Sequence, residues 1–313
     1  VRVVVVGAGL AGLVAARELS AAGAEVVVVE RASAPGGRLT TRRIGSATFD
    51  VGAQFFTVRT PAFAAAVGRW VEQGVVAVWN HGFADADGYP RYVARGGMAA
   101  LADHLARGLR VELDTMAFAV RRPRAGAPLE VVIDDGTRRP ADAVVSTCPL
   151  PQTFALLVDA GIDADEQVFR TDYDRTVALL AVLDRPPALP GSGGVQAPDD
   201  VLAIVADNVS KGITATPAVT IHATAAWSEQ HWRDDDDRIV AALVDAAAPW
   251  LGGAAIVAHH VKRWRFATPR SISPDPCWIA PSGDLVAAGD AFAGPRIEGA
   301  HNSGLAAAHA LLR

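Results

Sequence analysis

The chain has 313 residues, half of them hydrophobic, with a formal net charge of −5 and two cysteines. That length buries a sizeable core and suits two domains, and the composition excludes a disordered chain. No apolar run reaches the ~18 residues of a membrane span, and the acidic balance gives no support for nucleic-acid binding.

Cys148 and Cys277 form no CxxC or metal-ligand spacing, so a reduced chain without a metal site is expected. The sequence enters its first strand with no charged or apolar leader ahead of it, and a cytoplasmic location is the expectation. Lys211 and Lys262 are the only lysines among the basic residues. The codon preferences of a GC-rich gene, which favour Arg, Ala, Val and Gly together, account for that.

The first thirty residues organise the rest. Val1 to Val6 is a β-branched run that predicts a strand, and it meets Gly7-Ala8-Gly9-Leu10-Ala11-Gly12. An amphipathic helix follows, carrying Leu10, Leu13, Val14 and Leu19 and stopping near Gly23. A second apolar run, Val26 to Val29, ends on Glu30. Strand, glycine turn, helix, strand and terminal acid form the dinucleotide-binding fingerprint in its required context. Gly7 suits the tight turn, Gly9 the close approach of backbone to a pyrophosphate, and Gly12 the packing of helix on sheet. The helix N-terminus offers free N–H groups to the anion. Glu30 stands at about the spacing of the acid that holds a ribose diol, roughly 20 residues on.

Arg31 and the Gly36-Gly37-Arg38 turn extend this unit beyond what a nicotinamide dinucleotide needs. A flavin dinucleotide is longer, so a second loop with a cation has a pyrophosphate to contact. Phe49-Asp50-Val51-Gly52-Ala53-Gln54-Phe55-Phe56-Thr57 reads either as core strand or as a segment laid against a flat ring, with Gln54 bonding an edge. Thr60-Pro61 starts a helix whose apolar face is Phe63, Val67, Trp70 and Val71. Gly96-Gly97-Met98 leads into another, with Met98, Leu101 and Leu105 on one face.

Short strands are expected at 111–113, 117–121 and 129–133, then an apolar parallel-type strand at 143–147. Beyond Pro151 the strand candidates are 176–183, 201–206, 219–223 and 257–265, interrupted by the Pro/Gly-rich loop 184–200. Asp234 to Asp237 reads as the acidic first turn of a helix running to about Trp250, in preference to a metal site. A buried strand then ends in Gly289-Asp290, and Gly299 to Gly304 opens the last helix.

These residues resemble the FAD-dependent amine-oxidase superfamily, through the ERxxxxGGR pattern at Glu30 to Arg38 and through Gly289-Asp290 followed by Glu298-Gly299-Ala300 and Ser303-Gly304. Within it, the chain is similar to the bacterial renalase-like group in four stretches: 50–57, 96–98, 222–228 and 263–267. The resemblance implies an α/β fold: a discontinuous Rossmann-like FAD-binding domain with a second, mixed-sheet α+β substrate domain. The FAD domain is expected from 1–60, 92–149 and 267–313, and the substrate domain from 61–91 and 150–266.

It also implies residue roles. Gly7, Gly9, Leu10, Ala11 and Gly12 line the pyrophosphate, Glu30 holds the adenosine ribose, and Arg31 lies near the adenine. Gly37 and Arg38 reach the pyrophosphate and ribityl side, and Gly52, Ala53 and Gln54 belong to the cofactor set. Gly289, Asp290 and Ser303 join it at the far end, Asp290 holding ribityl or phosphate groups. Gly299 and Ala300 present N–H groups to the flavin N1–C2=O edge, where a helix N-terminus stabilises the charge of the reduced ring.

Renalase-like proteins oxidise dihydronicotinamide dinucleotide isomers by hydride transfer to flavin N5, with dioxygen as acceptor giving hydrogen peroxide. The resemblance implies that activity for this chain, an FAD-dependent oxidoreductase acting on a small reduced heterocycle without a strong general base. Candidate substrate-face residues are Gln54, Phe55, His222, Trp264 and Arg265, with Phe56, Tyr92 and Trp227 as further walls and His301 at the mouth of the last helix. Neither cysteine sits in a flavin-attachment motif, so the FAD is expected to be non-covalent. Amine oxidation, a desaturase-like reaction, and a sensory flavin or nucleotide-binding protein are the alternatives.

Overall fold

The computed structural model describes residues 1–83, 88–124, 126–160, 166–292 and 294–313. Its contacts group into two compact units.

The first unit comprises Val1–Gly37, Ala102–Asp172 and Pro269–Arg313. Its six-stranded sheet runs in the order 278–279, 285–287, 143–146, 2–6, 25–29, 110–112, parallel throughout except for the 278–279 edge. Arg2–Val6 is central and Val3 to Val6 are all buried, which is why this strand reads as a continuous apolar run instead of an alternating one. Helix Leu10–Ala21 buries Leu10, Leu13, Val14 and Leu19, together with the small residues Ala11, Gly12, Ala15 and Ala16.

The final helix, Arg296–Leu311, packs against that first helix. A Cβ on Gly304 would lie 2.4 Å from the Ala11 carbonyl oxygen, so the two backbones meet directly. This helix starts three residues before the expected Gly299, because Pro295 stands at its N-cap and lacks the N–H that a helix start would leave unsatisfied. An antiparallel meander of 117–121, 129–133 and 138–141 shares one core with the sheet, through Val120, Leu129, Val131, Val4 and Val144.

The second unit comprises Arg38–Leu101 and Tyr173–Thr268. Its five-stranded sheet has the order 194–196, 202–207, 218–223, 173–183, 256–269. Strand Tyr173–Leu183 alternates faces with period two. Leu179, Ala181 and Leu183 meet Ile239, Leu243 and Ala247 of helix Asp236–Leu251, while Leu180 and Val182 meet Phe49 and Val51. Hairpin 41–44/47–50 thus covers one face and the helix the other.

That burial of Phe49 and Val51 groups residues 38–60 with this sheet. Residues 150–172 fall in the first unit, where Leu156, Leu157 and Ala160 join the meander's core. Three of the four aspartates begin the helix, while Asp234 precedes it and pairs with His231. Asp235 is the N-cap, its carboxylate accepting from Arg238 N at 2.9 Å, and Asp236 and Asp237 fill the first turn.

Candidate functional site

In the first unit the turn from strand 2–6 into helix 10–21 is shaped by its close contacts. Gly7 has φ +104°, and a Cβ on Gly12 would lie 2.0 Å from the Gly7 carbonyl oxygen and 2.9 Å from Thr147 Oγ1. Gly12 is therefore a glycine for protein reasons. Gly9 is different: φ is −75°, ψ is 179°, and among the described residues nothing beyond its own chain neighbours lies within 4 Å of the position a Cβ would take. As N-cap it contributes no side-chain bond, and the first helical turn holds no acid. Its N–H donors are open to an external anion.

Glu30 closes the loop from below. Its carboxylate accepts from Ala8 N at 2.8 Å and from Ala32 N at 2.9 Å, tying the glycine turn to the segment that follows the second strand. Gly36 N donates to Ala8 O at 2.8 Å, so the second glycine turn lies alongside the first. Arg31 and Gly37 are exposed.

At the far end of the same unit, Ser303 Oγ accepts from Gly289 N at 2.9 Å, so the last helix holds the Gly289-Asp290 turn, and Asp290 is buried. The helix starts at Arg296, with Glu298 in its first turn. Gly299 and Ala300 stand one turn in, where preceding carbonyls take up their N–H groups. A Cβ on Gly299 would collide with the Gly294 carbonyl, a second reason for glycine there. His301 is buried, with Nδ1 3.1 Å from Asn302 Oδ1.

Taken together, an uncapped helix N-terminus, open space over Gly9, a carboxylate at Glu30 and a buried acid at Asp290 fit an adenine dinucleotide laid across the carboxyl ends of the parallel strands.

The second unit assembles a buried polar cluster around the Asp50–Phe55 segment. Gln54 donates both amide hydrogens inward, to Asp50 O at 2.8 Å and Gly52 O at 3.0 Å, and its Oε1 accepts from Lys211 Nζ at 2.7 Å. Lys211 also reaches Asp50 Oδ2 at 3.1 Å, and neither side chain of that pair touches solvent. Asp50 Oδ1 accepts from Met98 N at 2.6 Å and Thr41 Oγ1 at 3.0 Å. The Val51 carbonyl takes His222 Nε2 at 3.0 Å and Trp264 Nε1 at 3.2 Å.

A carbonyl only accepts, so His222 carries its hydrogen on Nε2. Burial pulls the His222 pKa down to about 4, with the Lys211 charge acting in the same direction. The imidazole is neutral at pH 7. Burial likewise draws the Lys211 ammonium below its usual range, against the opposing pull of Asp50.

Gln54, His222 and Trp264 lie in one cluster, each with a nitrogen donor committed to the segment's own backbone. Phe55 joins an aromatic group instead, 6.3 Å from Trp79 and 5.4 Å from Phe83, with the Arg91 guanidinium 5.7 Å above it. Arg265 departs from the expectation. Trp264 packs with Ala258 and Phe49, and strand alternation sends Arg265 to the opposite face, exposed and stacked 5.3 Å from Phe266. Trp227 stacks on His231 and packs with the helix-side core, and Phe56 is buried against Tyr92 and Phe63, so both pack instead of lining a slot. Arg38 donates to Ala267 O at 3.0 Å, and its own carbonyl accepts from Ala53 N.

Sequence reasoning missed Lys211 and Thr147. Thr147 Oγ1 donates to Val6 O and Gly7 O, bracing the glycine turn from the neighbouring strand, a contact no local pattern announces. Lys211 is one of only two lysines in an arginine-rich chain, and its burial between Asp50 and Gln54 is visible only in the fold.

Comparison with known proteins places the chain. Residues 5–70 match the NAD(P)-binding Rossmann-like domain, and residues 73–312 match the flavin containing amine oxidoreductase family. Hydroxyneurosporene desaturase of Rubrivivax gelatinosus is 45% identical over 75 residues, 23% of this chain and 14% of the relative. The neurosporene-forming phytoene desaturase of Rhodobacter capsulatus is 39% identical over 111 residues, 34% of this chain and 21% of the relative. The chain thus spans less than a quarter of the length of either. Among solved structures, putrescine oxidase superposes with a TM-score of 0.74 at 15% identity, covering 100% of this chain and 99% of that one. An oxidoreductase from Methanosarcina mazei does so with 0.70 at 15%, covering 98% and 99%. At such identities the likeness is one of fold. The family match spans most of the chain and agrees with the dinucleotide cradle built above: the protein belongs to the flavin containing amine oxidoreductases, and its cofactor is a flavin.

Proposed function

We infer that this chain is an FAD-dependent oxidase of renalase-like character, taking a hydride from a small reduced heterocycle, a dihydronicotinamide dinucleotide isomer, with dioxygen as the final acceptor. The FAD would be held by the Gly7–Gly12 turn, Glu30 and Asp290. When bound, it supplies the hydride-accepting and oxygen-reducing chemistry.

The observation that carries this reading is the state of the titratable groups around Asp50–Phe55. His222 is neutral with Nε2 engaged by Val51, and Lys211 and Asp50 are paired and out of solvent. None is poised to take a proton from a substrate. A hydride leaves its carbon with both electrons and needs no such base, so what remains for the protein is to offer a fixed, flat surface. Phe55, braced by Trp79 and Phe83 at tilts of 51° and 58°, supplies a single fixed ring of that kind.

Both thiols support non-covalent attachment. Burial raises the Cys148 pKa to about 11 and also lifts that of Cys277, so neither is a ready nucleophile. Amine oxidation is the second reading, favoured by the family match and by the putrescine oxidase fold.

Anaerobic mixing of the yellow protein with 2- and 6-dihydronicotinamide dinucleotides, NADH and a panel of amines separates the two. Fast bleaching by the isomers is expected. Bleaching by an amine and not by the isomers reverses the order, and a flavin that no small reductant bleaches points to a sensory role.

A further inference from the structure

The geometry points to Lys211 as a positioning residue. Its buried ammonium locks the Gln54 amide, and through it the backbone of Asp50–Phe55, into the one conformation in which this segment serves the reaction. The inference rests on the reading above for what the segment serves, and on the hydrogen-bond pattern alone for the lock.

Three successive carbonyls, Asp50, Val51 and Gly52, are drawn into one polar cluster. Gln54 Nε2 takes the first and third, His222 and Trp264 take the second, and Thr220 Oγ1 adds a bond to Asp50 O at 3.1 Å. Gln54 can do this only in one amide orientation, with both hydrogens toward the backbone and Oε1 away from it. The group that selects this orientation is Lys211 Nζ, a pure donor 2.7 Å from Oε1. The flipped amide would set NH2 against NH3⁺.

Asp50 anchors the lysine from the other side while its second oxygen holds Met98 N and Thr41. The Trp79 ring, 5.5 Å from Nζ, closes the slot and links it to the Phe55 aromatic group. A compact ammonium fits between a carboxylate and an amide where a planar guanidinium fork would not. A lysine serving only to neutralise Asp50 would need no bond to Gln54.

The test separates lock from counter-charge. Lys211→Met alone strands a buried carboxylate, so the informative variant is Asp50→Asn with Lys211→Met, which removes both charges. Four proteins are compared as purified: wild type, the double variant, Gln54→Ala, and all three changes together. The readouts are thermal melting, amide hydrogen exchange and anaerobic flavin reduction by the reductant that bleaches wild type.

The double variant is expected to fold. Exchange at the amides of Val51, Ala53 and Phe56 should speed up about tenfold, the equilibrium worth of one lost hydrogen bond. Exchange in strand Ala218–Ala223 should stay unchanged. The flavin reduction rate should fall by a similar factor, with little change in half-saturating substrate. Gln54→Ala should match the double variant, and the triple variant should add nothing further, since the residues act as one unit.

Wild-type exchange in the double variant overturns the lock and leaves Lys211 as a counter-charge. Loosened exchange with an unchanged reduction rate overturns its part in the reaction. If the wild type itself carries no flavin, the functional reading falls, and the exchange comparison still decides the lock.

Discussion

Gly9→Ala isolates the cofactor from the fold. Gly9 sits at φ −75° and ψ 179°, a conformation any residue adopts, and its Cβ would enter open space. Two small effects on the apoprotein oppose each other. Alanine restricts the unfolded chain, which stabilises by about 0.4–1 kcal/mol at a compatible site. It is also a poorer N-cap than glycine, by roughly the same amount. The apoprotein should therefore melt within about 2–4 °C of wild type, the shift that a residual 1 kcal/mol gives in a chain of this size.

The added methyl stands where the turn is read as meeting the pyrophosphate. Overpacking of that kind costs about 1–3 kcal/mol, which weakens FAD binding roughly 5- to 150-fold. Titrating apoprotein with FAD while following flavin fluorescence measures this directly, beside a melting curve of the same sample. Gly12→Ala is the contrast. There the methyl would lie 2.0 Å from a backbone oxygen, so fold and cofactor suffer together. Wild-type FAD affinity in Gly9→Ala would refute the assignment of this turn to the pyrophosphate.

Three further outcomes are expected. Glu30→Gln keeps the shape but not the charge that accepts from both Ala8 N and Ala32 N, and should weaken FAD retention and loosen the turn by about 1–2 kcal/mol; the ratio of flavin to protein absorbance after dialysis reads it, and full occupancy contradicts the role. His222 has a folded pKa of about 4 against an unfolded value near 6.5. The unfolded chain therefore binds the extra proton first as pH falls, and stability present above about pH 6.5 is lost on the way to pH 4. That amounts to about 2 kcal/mol between about pH 7.5 and pH 5. Urea melts at the two pH values should show it, and His222→Gln should flatten the dependence; equal slopes in both proteins would contradict the burial argument. Asp235→Ala removes an N-cap and should cost about 1 kcal/mol in melting without altering flavin content, and chelators should leave the wild type unmoved; a stability change on adding a divalent metal would revive the metal reading of the four aspartates.

Much of the first unit was legible in the sequence because its chemistry is local. The Val-rich strand, the glycine turn, the helix and Glu30 lie within thirty residues, and each is specified by φ, ψ, burial or spacing along the chain. The start of the last helix was misplaced because the signal used was the glycine pair. The physical start is set by Pro295, and Gly299 is explained by the carbonyl of Gly294.

The second unit was legible only in outline. Its strands and the Asp-capped helix followed from periodicity and turn chemistry, while its cluster did not. Arg265 and Trp264 are neighbours in sequence and lie on opposite faces of a strand. Lys211 and Asp50 are 161 residues apart and share one buried bond. By itself the sequence determined a dinucleotide fingerprint, a flavin-family signature and the elements that carry them, since those depend on residues close along the chain. Only the tertiary structure decided that Gln54, His222 and Trp264 each commit a nitrogen donor to the backbone of the 50–55 segment, and that a lone buried lysine sets the direction of the Gln54 amide. Partners in a low-dielectric interior are chosen by which donors and acceptors folding leaves without water, and no spacing in one dimension records that choice.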